Sequence, residues 1–89
     1  MSRYSLEPRD IADRHLEIVI GWDPPLHTYF VQVLDPTCDE EDSGFEILWC
    51  GVTPGEIPSA DEAILLIAPW AVIPAGLRAT LIADRAAKP

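Results

Sequence analysis

The sequence predicts an α+β domain: a three-stranded antiparallel sheet, a meander, followed by two helices packed on one face. Three observations predict it. Apolar and β-branched residues alternate at period two before Val52, which is a strand signal. The connections between these runs are too short for parallel crossovers. After Ser59 the period lengthens to that of a helix, behind a capping signal.

Residues 1–14 are polar and of mixed charge and read as a flexible N-terminal arm, with 15–89 as a single α+β domain. The first strand is His15 to Trp22, with Leu16, Ile18, Ile20 and Trp22 on one side. Asp23-Pro24-Pro25 stops it, because proline removes ladder donors and fixes φ. Leu26 to Leu34 is the second strand and Asp35-Pro36 ends it. Thr37 to Gly44 is an acidic turn-rich loop, and Phe45 to Val52 is the third strand.

Thr53 to Pro58 is a connector with two prolines and one glycine. Ser59-Ala60-Asp61-Glu62 is a capping box, in which Ser59 accepts from the Glu62 amide and Glu62 reaches back. The first helix should run from Ala60 to Ala68 and stop before Pro69. The second should start at Pro74, a favoured first helical residue, and reach Ala86. The expected core is Leu16, Ile18, Ile20, Phe30, Phe45, Ile47 and Trp49, covered by Ile64, Ile67, Leu77 and Leu81. The opposite parity then leaves Tyr29, Val31, Val33, Leu48, Cys50 and Val52 as an open apolar block. A second copy covering that block would make a homodimer, and a partner protein or the arm could cover it instead.

Composition narrows the function classes. The 89 residues are 48% hydrophobic, enough for one modest core. Lys and Arg total 6 against 15 Asp and Glu, a net charge of −9. That balance excludes direct nucleic-acid binding, which needs cations against phosphates. No stretch reaches the ~18 apolar residues of a membrane span, and the N-terminus lacks the apolar region of a secretory signal. The expected location is the cytoplasm. Cys38 and Cys50 are expected as free thiols.

All cations lie at the ends of the chain. Between His15 and Leu77 there are eleven acids and neither Lys nor Arg. Such a field attracts basic partners, and it also serves solubility alone. Asp39-Glu40-Glu41-Asp42 does not fit the register of a calcium loop and reads as a solvated hairpin loop. His15 and His27 share a parity opposite Leu16 and could in principle share a site. Two surface histidines are the simpler reading. No nucleophile elbow, phosphate loop or zinc-like pair is present, so no enzyme, metal or cofactor is expected. Trp22 beside the Pro24-Pro25 turn reads either as a rigid recognition edge or as a staple closing the core. The candidate protein-binding residues are Trp22, Tyr29, Val31, Val33, Leu48, Asp39, Glu40, Glu41 and Asp42.

The run GWDPPLHTYFVQV (21–33), then ILWCG (47–51) and TPGEIPSADEAILLIAPWAVIPAGLRATLIADR (53–85), resembles a family of short, acidic proteobacterial proteins often encoded on plasmids and integrative elements. The resemblance spans about Leu16 to Arg85. It brings no catalytic motif and no established activity. It implies a mobile-element context and, with it, a regulatory or inhibitory accessory protein. The leading expectation is therefore a non-enzymatic acidic module that binds a protein partner, a basic one. The alternative is a small enzyme or ligand-binding domain on the His15/His27 face.

Overall fold

The computed structural model describes residues 2–88. It is an α+β fold with two layers. The sheet has four antiparallel strands in the order β1-β2-β3-β4: β1 (Tyr4–Ser5), β2 (Glu17–Asp23), β3 (Thr28–Leu34) and β4 (Glu46–Cys50). Two helices, α1 (Ala60–Ile67) and α2 (Leu77–Ala87), lie on one face. A 3-10 turn at Ile11–Asp13 precedes β2.

The expected three strands become four, because the segment read as a flexible arm supplies β1. Tyr4 pairs with Ile20 and Ser5 with Val19, and the Leu6 amide donates to Ile18 at 2.8 Å. Leu6 is buried among the core residues. Farther on, Val72 donates to Glu7 and Arg9 donates to Trp70, so residues 7–9 also hold the link between the helices.

The central hairpin turns through Pro24 to His27, with the His27 amide donating to the Pro24 carbonyl at 3.0 Å. His27 takes the left-handed conformation, φ 51°, in which His, like Asn and Asp, is enriched among non-glycine residues. The connector after β4 docks on this hairpin through Thr28, whose buried hydroxyl accepts from the Ile57 amide at 2.8 Å. The Tyr29 amide donates to the Ile57 carbonyl at 3.1 Å.

Ser59 caps α1, accepting from the Glu62 amide at 3.2 Å. No return bond from the Glu62 side chain occurs among the described residues. α1 ends at Ile67, one residue short of expectation, since Pro69 denies it a further amide. α2 begins at Leu77 rather than Pro74. Pro74 instead opens a turn, its carbonyl accepting from the Leu77 amide, and Gly76 enters the helix without a side-chain cap.

The largest correction concerns faces. Ile18, Ile20 and Trp22 of β2 face the helices as expected, but on β3 it is Tyr29, Val31 and Val33 that join them. Phe30 lies on the opposite, open face. On β4, Leu48 and Cys50 pack against the core, while Ile47 and Trp49 are exposed. A bulge separates the parities: Leu34 pairs with Glu46 and Val33 with Leu48, leaving Ile47 as the extra residue. Ile67, Leu77 and Leu81 are buried beneath the helices as expected, and Leu16 and Ile64 pack at the margin.

The apolar block expected to be open is thus the core itself, apart from exposed Val52. The two-fold dimer through that block loses its surface. Instead, the open face carries Phe30 folded across the backbone. A Cβ on Gly21 would come within 2.1 Å of the Ser2 carbonyl and 2.7 Å of the Phe30 ring, so only glycine allows this approach.

α2 buries only Leu77 and Leu81, and three aromatic tips also hold it. Tyr4 donates to Asp84 at 2.6 Å, Tyr29 to the Leu81 carbonyl at 3.3 Å, and Trp22 Nε1 to the Lys88 carbonyl at 2.7 Å. Arg85 lies over the Trp22 ring at 5.2 Å. Trp22→Phe should therefore cost about 1–3 kcal/mol and Tyr29→Phe about 1 kcal/mol in denaturant unfolding, with hydrogen exchange rising first in α2.

Glu56 closes the turn after β4. Its carboxylate accepts from the amides of Gly51, Val52 and Thr53 and from the Thr53 hydroxyl. These bonds, that of Gly51 foremost, hold its pKa below the usual value. The folded pKa is depressed, so this contribution is present above the unfolded value near 4.5 and is lost as pH falls through the lower folded one. Acid titration of Glu56→Gln should show a shallower loss of stability below pH ~4.5 than the unmodified chain.

Candidate interaction surface

The site follows from which surfaces the two helices leave uncovered. β4 is the outer strand on one side, and it carries exposed apolar groups on both flanks. On the open face are Trp49 and, just beyond, Val52, with Ile47 exposed at the bulge; on the helix side are Leu65 and Leu66 of α1. Trp49, at 45% exposed, is the most open of the three tryptophans, since Trp22 is buried and Trp70 half-buried.

Trp49 sits between two depressions of the open face. One, of about 220 Å³, is lined by Arg3, Asp23, Leu26, Phe30, Gln32, Gly51 and Val52 besides Trp49. Arg3 crosses β2 to donate to Gln32 at 3.2 Å. The other, of about 560 Å³, is lined by Leu34, Glu40, Asp42, Ser43, Phe45 and Glu46 with Trp49. It holds three carboxylates and no Lys or Arg.

The acidic loop takes its course from its own polar groups. Asp35 accepts from the Thr37 amide and hydroxyl, and the Asp35 amide donates to the Phe45 carbonyl at 2.8 Å. The Thr37 hydroxyl chiefly, with His15 3.5 Å away, holds the Asp35 carboxyl below its usual range. Asp42 accepts from the Gly44 amide at 2.9 Å, bringing the chain back toward β4. Of the expected acidic residues, Glu40 and Asp42 therefore reach the groove beside Trp49. Asp39 and Glu41 are exposed but do not line it.

The expected apolar binding residues are placed otherwise. Trp22, Tyr29, Val31 and Val33 are buried under the helices, and Leu48 is partly buried against the same core. Trp22 is the staple rather than the recognition edge. The residues missed are Trp49, Glu46, Leu34 and Phe45. The strand pattern of Phe45 to Cys50 hid them, because Glu46 marked its parity as solvent-facing while the bulge at Ile47 uncouples it from Leu48 and Cys50.

His15 and His27 are not brought together. His15 precedes β2 and meets Asp35, whereas His27 lies in the turn at the far end of the hairpin. Seven residues of strand separate them, roughly 23 Å. Among the described residues no three His, Cys, Asp or Glu side chains gather to hold a metal. Burial pushes the Cys50 thiol up, aided by Glu56, and burial with Asp35 and Asp42 does the same to Cys38. Both thiols are therefore poorer nucleophiles than a free cysteine.

No helix of the described residues is long and apolar enough to cross a membrane. Comparison with protein-family models, with curated proteins and with solved structures finds no match to this chain.

The charge around Trp49 has an optical consequence. Caesium ion should quench tryptophan emission more strongly than iodide, because the local field concentrates cations and repels anions. The difference should shrink in high salt and vanish in Trp49→Phe. Equal quenching by the two ions at low salt would remove the field from this face.

Proposed function

We propose that the protein is a non-enzymatic acidic module that binds a basic segment of another protein through Trp49 and the carboxylates beside it. The observation that carries the reading is the groove in which Glu40, Asp42 and Glu46 stand beside an exposed indole and which no Lys or Arg lines. An indole face attracts a Lys or Arg head, and carboxylates at the rim strengthen that attraction and speed encounter.

The position of the chain's own cations supports it. Four of the six are engaged elsewhere: Arg3 with Gln32, Arg9 with the Ala68 carbonyl, Arg78 with Asp61 and Arg85 with the Pro58 carbonyl. None of these four lines the acidic groove, although Arg3 lies in the depression on the other side of Trp49. The same field disfavours nucleic acid, whose phosphates carry the like charge. A regulatory or inhibitory accessory role on a mobile element, as the resemblance implies, suits a module of this kind.

A short Lys- and Arg-rich peptide with a neutral fluorophore tests the reading by anisotropy. Binding should weaken steadily with salt. Trp49→Ala should lower affinity about 2–30-fold, the range of a cation–π contact, and Glu46→Lys should lower it further. Both residues are exposed, so the fold should be unaffected. Absence of binding at low salt, or binding indifferent to both substitutions, defeats the proposal.

A further inference from the structure

The sheet has two edges, and they are not alike. β1 is two residues long, and the chain leaves it toward Pro8. Backbone bonds from Ser2 and Leu6 to β2 flank this pair, so the edge reaches from Ser2 to Leu6 before Pro8 ends it. β4 is five residues long and pairs only with β3. Among the described residues, no hydrogen bond outside the β3 ladder involves the backbone of residues 46–50. The outer row of amides and carbonyls on β4 is therefore free, and an edge of this kind is a template for another strand. Natural edges are often blunted by lysine or proline, and β4 has neither; its only guards are Glu46 and the bulge at one end.

A groove lies on each side of this edge. The open-face groove is the acidic one beside Trp49. On the helix side, a second depression of about 400 Å³ runs between Cys50, Ile57, Leu65 and Leu66, with Glu56 and Glu62 at its rim. A strand laid along β4 would send alternate side chains to opposite faces. One set would meet the apolar groove and the other the carboxylates and the indole.

We propose that β4 takes up an extended segment of a basic partner protein as a fifth strand, with apolar residues toward α1 alternating with Lys or Arg toward Trp49. This rests on the function proposed above and adds its mode: backbone pairing supplies affinity and the two grooves supply the alternating preference. A second copy of the chain is the poorer occupant. It carries a net charge of −9 and would bring its own Glu46 against the same acids.

The probe is a short labelled peptide in which valine and lysine alternate, made in three forms. One is unmodified; the other two carry N-methyl groups on one or the other alternate set of backbone nitrogens. Only every second N–H of an added strand faces β4. One methylated form should therefore lose at least about tenfold in affinity while the other stays within about twofold. The outer amides of residues 46–50 should gain hydrogen-exchange protection on binding. Leu65→Asp, at a site 73% exposed, should weaken the valine–lysine peptide but not a serine–lysine one.

The outcomes separate the two proposals. If the unmodified peptide binds and both methylated forms bind equally, strand addition is overturned and the acidic binding surface stands. If nothing binds at low salt, both fall. If the chain sediments as a dimer in which the outer amides of residues 46–50 are already protected from exchange, the edge belongs to a second copy, and the fifth-strand proposal is overturned.

Discussion

The contact on which the arrangement depends is the pair Trp22 and Tyr29, facing each other across the central hairpin with ring centroids 4.8 Å apart. A chain with two short helices can cover one face of a sheet, and this pair decides which. Each ring supplies apolar area and one polar tip. Both tips end on carbonyls of α2 or its cap, at Leu81 and Lys88. α2 buries few apolar side chains, so these bonds place it as much as hydrophobic area does. Once α2 lies over the pair, Phe30 and Trp49 are left on the other side by the alternation of the strands.

The open face is therefore a residue of the packing, and its composition is the more telling for that. Gly21 lets Phe30 lie flat over β2, Arg3 closes over β2 onto Gln32, and Val19 is buried among them. This half of the face is finished with the chain's own groups. The half nearest β4 is not: Trp49 and Val52, with Ile47 at the bulge, stand open beside a loop rich in carboxylates. The contrast within one face is what directs attention to its outer strand.

The class of the fold, the course of the three long strands and the start of α1 were legible from alternation, prolines and the serine cap. The strand β1 was not, since a two-residue pairing has no period to read. The face of β3 was legible and was misread. Tyr29, Val31 and Val33 form its unbroken apolar parity, and Gln32 shares the other parity with Phe30. Phe30, a large apolar group on the parity of Gln32, points to the wrong face. β4 is different in kind, because its bulge breaks the relation between Glu46 and Leu48, and no local pattern announces a bulge. Trp49 was hidden by the same break. The acidic loop was visible from composition, but which of its carboxylates turn toward β4 depends on the Asp35 and Asp42 turns.

Trp22 has one more property. Its main-chain N–H donates to the Ser2 hydroxyl, its carbonyl accepts from the Ser2 amide, and its indole donates to Lys88. Residues 2 and 88 thus meet at a single residue, one at its main chain and the other at its side chain. A short peptide bridge could join them without disturbing the sheet, and the backbone could then be opened within the exposed turn at Glu40–Glu41. Such a rejoined molecule would keep every strand pairing, with its break in the acidic loop. Joining residues 2 and 88 without opening the chain elsewhere would instead restrict the unfolded state, whose loop entropy grows with the length enclosed. The corner that locks the native hairpin is in this sense also a seam at which the chain can be rejoined.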